Sequence, residues 1–182
     1  MKIYKIRAVD DRFESLVLRH KENWTKLSQF IDHNQPTELW TTFKVRRYSK
    51  PKRGRKKALP SDFPFMAPLN VFSERAVKAL GEILTNNGRL LPFENHEVNF
   101  FLFLPSRVLD VLDESRSKFW RLDTGRIVMM NEFAFKSDAL FDAPIFEIPQ
   151  LPGKQTFVTE EFVAKVRASD LQGFVFTELP LE

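Results

Sequence analysis

Apolar residues recur at two different periods along this chain, and each period predicts its own kind of element. Between Ser73 and Thr85, Ala76, Val77, Leu80, Ile83 and Leu84 return every three or four positions while Arg75, Lys78 and Glu82 fall elsewhere, the pattern of a helix with one buried stripe. Ser73 is placed to accept a first-turn N–H, Glu74 sits at the positive end of the helix dipole, and Asn86-Asn87-Gly88 predicts a left-handed stop. A helix is also predicted over Asn23 to Ile31, from Trp24, Leu27 and Phe30 or Ile31. Another begins at Glu160, with Thr159 as its cap and Phe162, Val163 and Val166 facing inward. Val108, Leu109, Val111 and Leu112 have the spacing of a short helical turn.

Alternation at period two predicts the strands. Ile3 to Val9 and Phe13 to Leu18 flank Asp10-Asp11 and read as a hairpin. Leu39 to Val45 alternates, with Leu39, Thr41, Phe43 and Val45 on one side. Pro60, Pro64 and Pro68 then mark an extended crossing segment. Val98 to Leu104 reads as a Phe-rich buried strand, Ile145 to Ile148 as a short one, and Phe174 to Leu179 as the last, entered through Leu171-Gln172-Gly173. Asp123-Thr124-Gly125 predicts a hairpin turn between Phe119–Leu122 and Arg126–Phe135. The expected fold is α+β: a largely antiparallel sheet, or sheets, with a few packed helices. One domain over residues 1–182 is expected, with a softer N-terminal portion, 1–60, and a second α+β portion, 61–182.

Composition adds three constraints. With no cysteine there is no disulfide, thiolate metal site or thiol nucleophile, so stability rests on packing. Nineteen Phe against two Tyr and three Trp suit core filling better than a sugar-binding or base-stacking surface. No apolar run approaches the length of a membrane span, and Met1 to Arg7 interleaves charge with apolar residues instead of forming a secretory h-region; a cytoplasmic location is expected.

The net charge of +4 conceals an uneven distribution. Nine basic residues lie within 44–57 with no acid among them: Lys44, Arg46, Arg47, Lys50, Lys52, Arg53, Arg55, Lys56 and Lys57. The other 19 basic residues face 24 acidic ones, so an acidic body carries a basic segment. Like-charge repulsion, Pro51 and Gly54 make 49–60 an exposed loop in this reading. Three roles remain open for it: a solvated loop, an arm that speeds association with an acidic protein surface, or a contact to nucleic-acid phosphates.

Catalytic patterns are sparse. His20, His33 and His96 lack the i, i+4 pairing of a zinc site, and no phosphate-cradling glycine loop or nucleophile elbow occurs. Neither metal nor cofactor is expected, and no enzymatic activity. Asp110, Asp113 and Glu114 are three and four apart, so on a helical turn they would form an acidic face, read either as solvated surface or as a docking patch for a basic partner. With Arg46, Arg47, Lys50, Lys52, Arg53, Arg55, Lys56 and Lys57, these three are the candidate partner-binding residues.

The blocks DFPFM, NVFSERAVKAL, GRLLPF, VLDVLDESRS and VTEEFVAKVRASDLQGFVF occur in this order over Asp62 to Phe176. Their order and spacing resemble a bacterial family of immunity proteins from polymorphic toxin systems. The resemblance implies a cytoplasmic protein that binds and neutralises a toxin encoded beside it. The matching positions, among them Phe72, Ser73, Ala76, Leu80, Phe162, Gly173 and Phe176, read as determinants of the fold, so no binding residue is carried over from the family. The alternative is a nucleic-acid-associated module using residues 44–57 as a phosphate-binding arm.

Overall fold

A computed structural model describes residues 2–9, 12–32, 34–49, 58–136, 139 and 141–180. In chain order these form β1 (Ile3–Ala8), β2 (Ser15–Leu18), α1 (Asn23–Asp32), a 3-10 turn (Thr37–Leu39), β3 (Phe43–Tyr48), β4 (Asn70–Ser73) and α2 (Glu74–Asn87). There follow β5 (Gly88–Glu94), β6 (Phe100–Pro105), β7 (Lys118–Arg121), β8 (Ile127–Glu132), β9 (Ile145–Phe146), β10 (Phe157–Thr159), α3 (Glu160–Ala168) and β11 (Phe174–Leu179). The fold is α+β. Among the described residues no helix is long and apolar enough to cross a membrane.

Three sheets organise the strands: β11-β1-β10-β9, β2-β3-β5-β6-β4, and the two-stranded β7-β8. Pairing is antiparallel except between β3 and β5, where Phe43 stands opposite Phe93. Alternation sends successive side chains to opposite faces, and the cores follow from that. From the five-stranded sheet, Phe72 and Phe103 enter a central core with Tyr4, Ile6, Ile145 and Val158 of the four-stranded sheet. Ala76, Leu80 and Leu84 of α2 and Phe162, Val163 and Val166 of α3 complete this layer, so the two helices bridge the two sheets. The opposite face of the five-stranded sheet, with Val71, Leu91, Phe93 and Leu102, is covered by Leu27 and Phe30 of α1. The opposite face of the four-stranded sheet, with Ile3, Phe146 and Phe157, is covered by Val111, Leu112, Ile127 and Phe135. Each fully buried Phe or Leu contributes about 1.5–3 kcal/mol by transfer alone.

The start of α2 is also the main polar junction. The Ser73 hydroxyl accepts from the Ala76 N–H at 3.1 Å and donates to Asp62 Oδ1 at 2.7 Å. Buried Asp62 receives Arg75 Nη1 at 2.9 Å and the Gln172 N–H at 2.9 Å on its other oxygen. One carboxylate thus ties the proline-containing segment to α2 and to the turn after α3. Gly173 completes the junction: its φ is +92° and an added Cβ would collide with the Ser61 hydroxyl.

Several expected elements take a different form. β1 and the 13–18 strand make no hairpin, because β1 pairs with β10 and β11 while β2 pairs with β3; Asp10 and Asp11 lie outside the described residues. The strand expected at 39–45 is preceded by the 3-10 turn and runs from Phe43 to Tyr48, where Phe43 and Val45 are buried. α2 is kinked at Gly81 and ends without a left-handed residue, since Gly88 is extended at φ 178°. A glycine is needed there for space: a Cβ would strike the Phe103 ring and the Leu104 carbonyl. Thr159 precedes α3 but makes no side-chain capping bond. No helix forms at 108–112, where Val108 bridges to Glu147 and Leu112 to Phe135. The Leu109 N–H donates to the Glu147 carbonyl and the Val111 carbonyl accepts from the Lys136 N–H, so neighbouring chain takes the backbone groups and overrides a local helical spacing.

The α2 stripe, α1, the Gly125 hairpin and the Gly173 entry into β11 follow the sequence expectations closely.

Candidate functional site

No helical turn forms at 108–112, so the three acidic residues sit on extended and turn backbone instead of one helix face. Asp113 opens a tight turn in which its Oδ1 accepts from the Ser115 N–H at 3.0 Å and hydroxyl at 2.6 Å, and its Oδ2 from Arg116 Nε at 2.8 Å. The Ser115 hydroxyl, with Arg116 beside it, holds the Asp113 carboxyl down at about 2. Asp110 pairs with Lys136 at 3.1 Å, and that hydrogen bond and charge lower its pKa. Glu114 pairs with Arg121 and accepts from Gln150. Each of the three carboxylates therefore already has a counter-charge within the protein.

The basic candidates divide. Arg47 is half-buried and held by Glu14 at 3.2 Å and Glu97 at 2.7 Å, so its charge supports the fold. Arg46 lies on the outward face of β3 opposite Val17, between Lys44 and Tyr48, and makes no ion pair among the described residues. Lys44 is paired with Glu94 at 3.4 Å. Lys50, Lys52, Arg53, Arg55, Lys56 and Lys57 lie outside the described residues.

Among the described residues, no group of three or more His, Asp or Glu is arranged to hold a metal ion. His20 neighbours Glu22 and His96 contacts Arg19, while His33 lies outside the described residues.

The most distinctive surface was not among the sequence candidates. In the β7–β8 hairpin, Phe119, Ile127 and Met130 turn inward onto the core beneath the four-stranded sheet. Trp120 and its register partner Met129 turn outward, 63% and 51% exposed, with Leu122 at 44% two residues from Trp120. Large apolar side chains on both faces of a two-stranded ribbon leave one face without cover. The ribbon is held rigid at its turn: Gly125 adopts φ +84°, its N–H donates to the Leu122 carbonyl at 2.8 Å, and the Leu122 N–H donates to Arg126 at 2.9 Å. Arg121 stacks on Phe119 and pairs with Glu114, fastening the ribbon to the Asp113 turn. Sequence did carry a signal, the K-F-W-R and I-V-M-M runs with apolar residues at adjacent positions, where a half-buried ribbon would alternate.

Comparison with known proteins places this hairpin in a wider context. No curated protein matches the chain. A family model described as the immunity protein family Imm11 matches residues 89–180, which run from β5 through β11 and contain the whole β7–β8 ribbon. With just over half of the chain covered, and with the central helix α3 and its strand β11 inside the match, the protein belongs to the immunity protein family Imm11, a membership that points to a toxin-neutralising role.

Proposed function

We propose that this protein neutralises a cognate toxin, encoded nearby, by binding it and covering its active site or the route its substrate takes. It makes and breaks no covalent bonds in this reading; inhibition comes from complementarity of shape and charge. The observation that carries the proposal is the Imm11 match over 89–180, because that segment includes the exposed Trp120, Leu122 and Met129 face. Binding energy at protein interfaces concentrates in a few aromatic anchors that become fully desolvated, and Trp120 on a rigid ribbon has that chemistry. Arg46 and the basic residues of 50–57 would act earlier, raising the rate of encounter with an acidic surface of the toxin.

The test is co-expression with the toxin gene adjacent to this one. Growth should be restored by the wild-type chain, and the purified proteins should form a stable complex. If the adjacent product is harmless alone, or stays lethal and unbound when this chain is present, the proposal fails.

A further inference from the structure

A groove of about 530 Å³ lies between α1 and the turn end of the β7–β8 ribbon. Trp24, Leu27 and Ile31 of α1 form one side, and Leu69, Ile127 and Pro152 contribute apolar surface from the other elements. Trp24 is 40% exposed here, so the groove offers an aromatic side chain that the fold does not bury. Arg126, Lys154 and Asp32 also line it, and none of the three makes an ion pair among the described residues. This contrasts with Asp110, Asp113 and Glu114, each of which is neutralised within the protein. Gln150, a further lining residue, donates to Glu114 but keeps its Oε1 buried with no hydrogen-bond partner. Gly153 on the same wall is fixed by its N–H donating to buried Glu147 at 3.0 Å, so the wall is preformed.

We infer that this groove receives an extended segment of the partner toxin in which a large apolar side chain is followed by carboxylates. The apolar side chain packs on Trp24 and Ile31, and the carboxylates meet Arg126 and Lys154. Two cations with no ion-pair partner among the described residues, against one carboxylate, Asp32, give the rim an excess of positive charge and favour an acidic segment over a basic one. The inference rests on the toxin-binding reading and gives it a second contact site. Both involve the same ribbon, since Arg126 closes its turn and Trp120 lies on its outer face.

The experiment is calorimetric titration of the full-length chain with the catalytically inactivated toxin encoded by the adjacent gene. Variants are R126E/K154E, W24A and the charge-retaining R126K/K154R, each first checked by thermal melting. Wild type and R126K/K154R should bind alike, whereas R126E/K154E and W24A should each weaken binding at least tenfold. In ¹⁵N spectra of labelled protein, the backbone signals of Ile31, Leu69 and Gly153 should move on addition of toxin. Wild-type binding with unchanged affinity in R126E/K154E and W24A, or with shifts confined to other surfaces, overturns the groove while leaving the toxin-binding reading intact. Absence of wild-type binding overturns both. Self-association of the chain that W24A abolishes, with toxin affinity unchanged, would assign the groove to a second copy instead and also overturn the inference.

Discussion

Helix α2 and the β7–β8 ribbon are both rich in large apolar side chains, but their surroundings treat those side chains in opposite ways. α2 stands in a layer between two sheets, so Ala76, Leu80 and Leu84 are buried and Val77 and Ile83 pack at the margin. The ribbon has a core on one side only, and Trp120, Leu122 and Met129 remain outside. A buried stripe lowers the free energy of the isolated chain, whereas an uncovered one contributes nothing until another surface removes it from water. On the proposed reading, stability and recognition belong to different regions of the same molecule, and substitutions should separate them.

The largest effect belongs to the central layer. Phe72→Ala should lower stability by about 3–5 kcal/mol, because Phe72 is fully buried and packs against Phe63, Phe103 and Phe174. We further propose that residues 1–60 and 61–182 unfold together, since β1 pairs with β10 and β11 and β3 pairs with β5. Calorimetry of Phe72→Ala should then show one transition displaced downward; two separated transitions would break that idea.

Trp120→Ala is the reciprocal case. Stability should change by no more than about 0.5 kcal/mol, as for other exposed sites, while toxin affinity should fall by about 2–4 kcal/mol. Loss of stability without loss of binding would reverse the comparison between the ribbon and α2. Ser73→Ala should cost about 1–2 kcal/mol in chemical denaturation, because it removes both the α2 cap and a hydrogen bond to Asp62, and should leave toxin affinity unaltered.

Neutralising Arg46 with the basic residues of 50–57 should slow toxin association more than it speeds dissociation, and should reduce the salt dependence of the on-rate in stopped flow. Strong wild-type retention on DNA that falls steeply with salt, and is lost in this variant, would instead favour the phosphate-binding alternative.

The smallest effects are in the pH profile. Asp113 has its pKa lowered to about 2, so its contribution to stability is present above the unfolded carboxylate pKa and disappears as pH falls through about 2. Glu147 has the opposite sign: burial raises its pKa, so its contribution is present below the unfolded value and is lost as pH rises through the folded one. Denaturant titrations across pH should show Asp113→Asn flattening the acid limb and Glu147→Gln flattening the decline toward neutral pH. Identical profiles for both variants would contradict this assignment.

Local interactions made part of this protein legible before any fold was known. The α2 stripe, the Ser73 cap and the Gly125 turn involve residues within four positions of one another, so their energetics are written in short stretches of chain. The Phe-rich strand at 100–105 was legible for a related reason, since a run of large apolar residues has to be buried wherever it lies. Other features were settled only by contacts distant in sequence. Nothing near Ile3 specifies that its partners are Thr159 and Leu179, and nothing in the spacing of Asp110, Asp113 and Glu114 reveals that Phe135 and Glu147 will draw their backbone out of a helix. Exposure of Trp120 was likewise undecidable from sequence, because a tryptophan beside a phenylalanine is buried or solvated according to which neighbouring layer is present. Tertiary structure decided that the inner face of the ribbon meets a core and the outer face meets water, and that asymmetry is what makes the outer face available to a partner.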